Sequence, residues 1–219
     1  MSVHLQREIG AVKKQLLSLC ALVDEQVQLA MRALLQRDEQ LAGEVRRRDA
    51  EVDQREVDIE EECLKLLALH QPVAIDLRFL IAALKINNDL ERIGDLAVSI
   101  ARKARAVAVA EPIAIPFDLE GMAQKTEAML CSSLDAMVEL DTELAHDVCR
   151  RDDEIDAMKR DIRHQGEELI AEDPSRVKTL LRLIAVSRNL ERIADLATNI
   201  AEDVIYMVDG KIVRHQERE

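Results

Sequence analysis

Aromatic side chains are almost missing from this chain. Its 219 residues hold no Trp, one Tyr and two Phe, about 1% in all. Hydrophobic residues nevertheless make up 48%, so any core must be built from Leu, Ile, Val, Ala and Met. Turn formers are scarce too, with 6 Gly and 4 Pro. That is too little turn chemistry for the many tight reversals of an all-β protein. The abundant residues, Leu, Ala, Glu, Lys and Arg, are strong helix formers. The composition therefore predicts an all-α chain with few, long helices.

Positive charge is also short. The formal net charge is -13, which excludes a general nucleic-acid binder, because phosphate contact needs clustered Lys and Arg. No Cys-x-x-Cys pair occurs. Cys20, Cys63, Cys131 and Cys149 all fall in helical patterns and read as reduced, packed thiols of an intracellular protein. No apolar run approaches the roughly 20 residues of a membrane span. The opening "MSVHLQREIGAVKK" lacks the apolar stretch of a secretory signal. The expectation is a cytoplasmic protein, not inserted in the membrane, that meets one only through a partner. Neither a Gly-rich phosphate loop nor Gly-x-Ser-x-Gly is present.

What the chain does have is a repeat. Leu90 to Ala101 and Leu190 to Ala201 agree at nine of twelve positions. Upstream, "RRDAEVDQREVDI" (Arg47 to Ile59) matches "RRDDEIDAMKRDI" (Arg150 to Ile162), and "LLQRDEQLAGEV" matches "MVELDTELAHDV". Each half therefore follows one plan. A first helix ends near Asp38 or Asp141, residues suited to cap the next helix. A second helix runs to about Ala68 or Ala171. A turn holding Pro72 or Pro174 leads into a third helix, which ends near Val109 or Asp209. The linker is "EPIAIPFDLEG", with Glu111, Pro112, Pro116 and Gly121. Short turns between helices of about 45 Å force antiparallel packing. The expected architecture is two pseudo-symmetric three-helix bundles of long, spectrin-like helices, over 1–110 and 117–213.

The acids break the apolar pattern. On the third helix Leu77, Leu80, Ile81 and Leu84 share a stripe whose continuation is Asn88, Glu91 and Asp95. In the second half Val177, Leu180, Leu181 and Ile184 lead to Glu191 and Asp195. The second helix carries Asp49 and Asp53, then Asp152 and Asp156, at the same spacing. Equal rise on both arms of each hairpin puts the two acid pairs at one height. Four carboxylates at one level must be partly protonated, turned to water, or gathered around a cation. Oxygen-only donors suit Mg²⁺, Mn²⁺, Ca²⁺ or Fe³⁺. Acids on a solvated face, paired with Arg92 or Arg192, are the simpler alternative.

On these residues the chain resembles the PhoU family, the regulatory proteins of bacterial phosphate uptake. The telling segments are "NNDLERIGDLAVSIA", "RNLERIADLATNIAEDVIYMVDG" and "EVDIEEECLKLLALHQPVAIDLRFL", and the likeness spans essentially the whole chain. The resemblance implies a tandem PhoU fold and a metal-holding motif in each half. That motif would comprise Glu91, Asp95, Asp49 and Asp53, then Glu191, Asp195, Asp152 and Asp156, with iron, zinc, manganese or magnesium as the ion. It also implies a cytoplasmic, often dimeric, non-enzymatic negative regulator. Such a protein couples the ATPase of the phosphate ABC transporter to a sensor histidine kinase. The halves differ nearby: Asn88 faces Arg188, Asp89 faces Asn189 and Glu56 faces Lys159.

Two other readings compete. A di-iron enzyme on a helical bundle needs inward Glu-x-x-His pairs. The five His residues, His4, His70, His146, His164 and His215, offer only Glu143 with His146. A purely structural coiled-coil scaffold explains the long helices but not the acids in register.

Overall fold

The computed structural model describes residues 3–111 and 113–210. The linker's Pro112, His215 and the expected ends of the repeats at 1 and 213 lie outside the described residues. Six α-helices account for nearly all of the rest: α1 Val3–Leu35, α2 Glu39–His70, α3 Ala74–Ala108, α4 Leu119–Glu139, α5 Thr142–Glu172 and α6 Val177–Asp209. A 3₁₀ turn, Pro174–Arg176, opens into α6.

The caps fall where the sequence places them. Asp38 accepts from the Gln40 and Leu41 N–H groups to start α2, and Asp141 accepts from Leu144 N–H to start α5. A side-chain cap of this kind is worth about 1 kcal/mol. α2 ends at Gln71 in the left-handed region, φ 45°. Pro72 follows and cannot extend a helix backwards. At the far end of α6, Gly210 closes the helix with φ 71°, its N–H reaching the Tyr206 carbonyl. Arg37, in the first turn, donates to the carbonyls of Val107 and Ala110 at 2.6 Å and so satisfies the open end of α3.

Each half forms a three-helix unit, α1–α3 and α4–α6, and the two units do not stand apart. α3 and α6 pack antiparallel along their length. Arg78 near the start of α3 donates to the Met207 carbonyl, while Arg182 near the start of α6 donates to the Ala106 carbonyl. α1 also touches α4, where Gln28 donates to Glu127. One aliphatic core runs through both halves, with Leu16, Leu34, Leu66, Leu90, Ile93 and Leu190 essentially inaccessible. Burying such a side chain stabilises by about 1.5–3 kcal/mol.

The pattern of exposure along 91–100 recurs residue for residue along 191–200. The cysteines depart from expectation. Cys20 and Cys63 are buried, but Cys131 is exposed and Cys149 half-buried; all four are free thiols. Helical periodicity alone did not separate the margin of the α4 and α5 faces from their core. No described helix is long and apolar enough to cross a membrane.

Candidate functional site

In the first half the hairpin delivers the expected register. A Cβ built on Gly94 would lie 3.3 Å from Val52 Cγ1 and 3.7 Å from Asp49 Oδ1. Two turns nearer the hairpin, Asn87 Nδ2 donates to the Glu56 carbonyl at 2.8 Å and to Glu56 Oε1 at 3.4 Å. Asp49 and Asp53 on α2 therefore stand beside Glu91 and Asp95 on α3, with Glu56 as a fifth acid.

Their fields overlap. Glu91 is raised above the usual carboxylate range by desolvation, then by Asp95, Asp53, Glu56 and Asp49. Asp49 is raised by desolvation, then by Asp53 and Asp95, with Arg102 pulling the other way. Glu56 is raised by desolvation, Glu60 and Asp53. Among the described residues no salt bridge within 4.0 Å reaches any of these five acids. Behind them, Gln26 on α1 is wholly buried, and neither of its amide atoms has a partner; Asn87 Oδ1 is likewise unpartnered.

The second half has the same scaffold and a different occupant. Lys159 Nζ stands 2.6 Å from Glu191 Oε1 and 2.9 Å from Asp156 Oδ1. It occupies the position that Glu56 holds in the first half. An ammonium thus already sits where the expected reading placed a cation. Asp195 is still pushed up to about 6, by desolvation and then by Glu191, Asp152 and Asp156, with Lys159 opposing. Gln26 and Asn87 correspond to the apolar Met129 and to Ser187, whose hydroxyl donates to the Ile184 carbonyl at 2.8 Å.

The structure thus gathers all eight predicted acids into two groups of four, one per half. Among the described residues no three His, Cys, Asp or Glu side chains converge into a finished metal shell. The first group still fits a hard cation: it has only oxygen donors, no described basic side chain within salt-bridge distance and orphaned polar atoms at its base. In the second group Lys159 already engages Asp156 and Glu191, two of the four acids. The Glu143–His146 pair is exposed at the start of α5, so it does not supply the inward pair that a di-iron bundle requires.

Sequence reasoning missed a third feature. A groove of about 450 Å³ runs along the seam of α3 and α6, lined by Arg92, Asp95, Ser99, Arg102, Arg192 and Asp195 among others. No single repeat contains it, since its walls lie a hundred residues apart. Both acid motifs open onto it through Asp95 and Asp195.

Fold and motifs together define a class: a single-chain tandem of three-helix repeats with an acid-x-x-x-acid pair on the third helix of each. The family model of the PhoU domain matches residues 16–104 and again 119–204. The chain belongs to the PhoU family. It is 38% identical over 218 residues to the phosphate-specific transport system accessory protein PhoU homolog of Pseudomonas aeruginosa, covering 98% of this chain and 89% of that one. The crystal structure of PhoU from Pseudomonas aeruginosa superposes with a TM-score of 0.90 at 36% identity, over 94% of this chain and 99% of that one. The crystal structure of the phosphate transport system regulatory protein PhoU from Streptococcus pneumoniae gives 0.86 at 27% identity, over 95% and 99%.

Proposed function

We propose that this protein is a non-enzymatic negative regulator of phosphate uptake and of the phosphate-starvation response. It acts in the cytoplasm as an adaptor between the ATPase of a phosphate ABC transporter and a sensor histidine kinase, and works as a homodimer. The observation that carries this reading is likeness over nearly the full length to a protein named as an accessory of phosphate-specific transport. The regulatory name of the streptococcal protein supports it.

The first-half acids add a tuning element. Asp49, Asp53, Glu91 and Asp95, with Glu56 beside them, would hold an iron, zinc, manganese or magnesium ion. Such an ion would cancel their mutual repulsion and clamp α2 to α3. The clamped pair presents a fixed surface to a partner.

The test is complementation in a bacterium lacking its own PhoU. The wild-type chain should restore repression of a phosphate-starvation reporter in rich phosphate. A Glu91→Ala/Asp95→Ala variant should restore it poorly and should lose the metal found by mass spectrometry in the wild type. A chain that never represses the reporter sinks the regulatory reading. A variant that keeps both metal and repression sinks the role of the acids.

A further inference from the structure

The two ends of the α3–α6 groove are related by the repeat but not by charge. At one end Arg92 lies 3.4 Å from Asp89 and Lys85 lies 3.1 Å from Asp203, so each cation there has an acid. At the other end the corresponding positions are reversed or emptied of acid. Arg102 stands where the second repeat has Glu202, and Lys103 where it has Asp203. Arg188 stands where the first repeat has Asn88, and Asn189 where it has Asp89. Arg192 consequently has no acid in the position that Asp89 takes beside Arg92.

Arg102 and Arg192 line the groove, Lys103 is tied to its wall at Ser99, and Arg188 stands one helical turn before Arg192, beside the neighbouring α5–α6 cleft. Among the described residues none of them makes a salt bridge within 4.0 Å. Glu191, one turn after Arg188 on α6, is already held by Lys159 at 2.6 Å. Lys103 donates to Ser99 Oγ at 2.7 Å and to the Ser99 carbonyl at 3.2 Å, which fixes its ammonium beside the groove wall. Its pKa is lowered by desolvation and then by Arg102 and Arg188, so these cations feel each other. The acids that face this groove are Asp95 and Asp195, both on its wall, and Asp49, whose field reaches Arg102. All three belong to the acid clusters already described.

Unpaired like charges persist beside a groove at a cost in repulsion that an anion would remove. Guanidinium forks and an ammonium, with a hydroxyl at hand, are the donor set for a multiply charged oxyanion. We propose that the Arg102–Lys103–Arg188–Arg192 end of the α3–α6 groove binds an oxyanion of the phosphate class. The site stands on this charge arrangement and not on the regulatory reading. A groove of about 450 Å³ admits inorganic phosphate and also the phosphate tail of a nucleotide.

The experiment is calorimetric titration of the full chain, stripped of divalent ions with a chelator, at low ionic strength. Inorganic phosphate, sulfate and a nucleoside triphosphate are titrated separately. Wild-type protein should bind phosphate saturably, with affinity falling steeply as salt is added. Lys103→Gln/Arg192→Gln should weaken that binding by about tenfold or more. Lys85→Gln/Lys125→Gln, which removes two cations outside the groove lining, should leave it within about twofold, and unchanged helical circular dichroism would show both variants folded. Tighter binding of the triphosphate, lost in the same variant, would make a nucleotide tail the occupant; phosphate alone would make it the free ion. Saturable binding of no anion, or equal loss in both double variants, overturns the proposal. Neither result touches the complementation test, so the two readings fail separately.

Discussion

At the level of Glu91, the first half sets five carboxylates around a space with no basic neighbour in contact. At the level of Glu191, the second half places the Lys159 ammonium between two carboxylates. The helix order and the exposure pattern around these acids are alike, so the difference lies in a few side chains: Lys159 for Glu56, and Met129 and Ser187 for the buried Gln26 and Asn87. A helical repeat fixes where an acid stands; its neighbours fix whether that acid is free to bind anything. An acid-x-x-x-acid pair is thus a geometric statement, and its chemistry is decided one element away.

The comparison can be broken at its base by testing whether the halves are equally firm. Leu90→Ala and Leu190→Ala each empty a fully buried site. Each should cost about 2–5 kcal/mol in urea unfolding. Costs differing by more than that spread would mean the two cores are not equivalent.

Swapping the occupants sharpens it. Lys159→Glu removes two charged hydrogen bonds and adds a carboxylate to an acid cluster. It should destabilise by about 1–3 kcal/mol and should raise metal content by giving the second half the donor set of the first. Unchanged metal content would sink the view that Lys159 closes that site. The reciprocal Glu56→Lys should stabilise by less than about 1 kcal/mol at low salt and abolish metal uptake at the first-half acids.

The smallest effect is on pH. Asp195 binds its proton more tightly folded, at about 6, than at its ordinary value of 3.8. The folded state therefore holds more protons across that window, and this group's contribution makes stability rise as pH falls from neutral toward 4. Asp195→Asn should stabilise slightly at pH 7, by less than about 1 kcal/mol given the exposure of the group. It should also flatten the rise on mild acidification. A rise as steep as in the wild type would assign it to other raised acids such as Asp49, Glu56 and Glu91.

Much of this was legible in the sequence. Asp38 and Asp141 announce their caps because a short acid before a periodic run has one favourable place to stand. The hairpin register followed from equal rise on two arms, which is why Asp49 was expected beside Glu91 and Asp95. The place of Lys159 was less legible: facing Glu56 in alignment shows a charge change, but only packing shows its ammonium bridging Asp156 and Glu191. Gln26 left a faint signal as a polar residue in an apolar stripe. The α3–α6 groove left none, because its two walls belong to different repeats and only their packing brings them together.

The recurrence of one exposure pattern along 91–100 and 191–200 has a consequence for descent. A chain that carries its scaffold twice, as a gene duplicated within itself would, keeps one copy of a binding face under selection while the other drifts. Substitutions at the positions of Glu56 and Arg102 alter charge where neither copy is buried. Specialisation of the two halves is then open to single codon changes, and each copy serves as the internal control by which the other's change can be read.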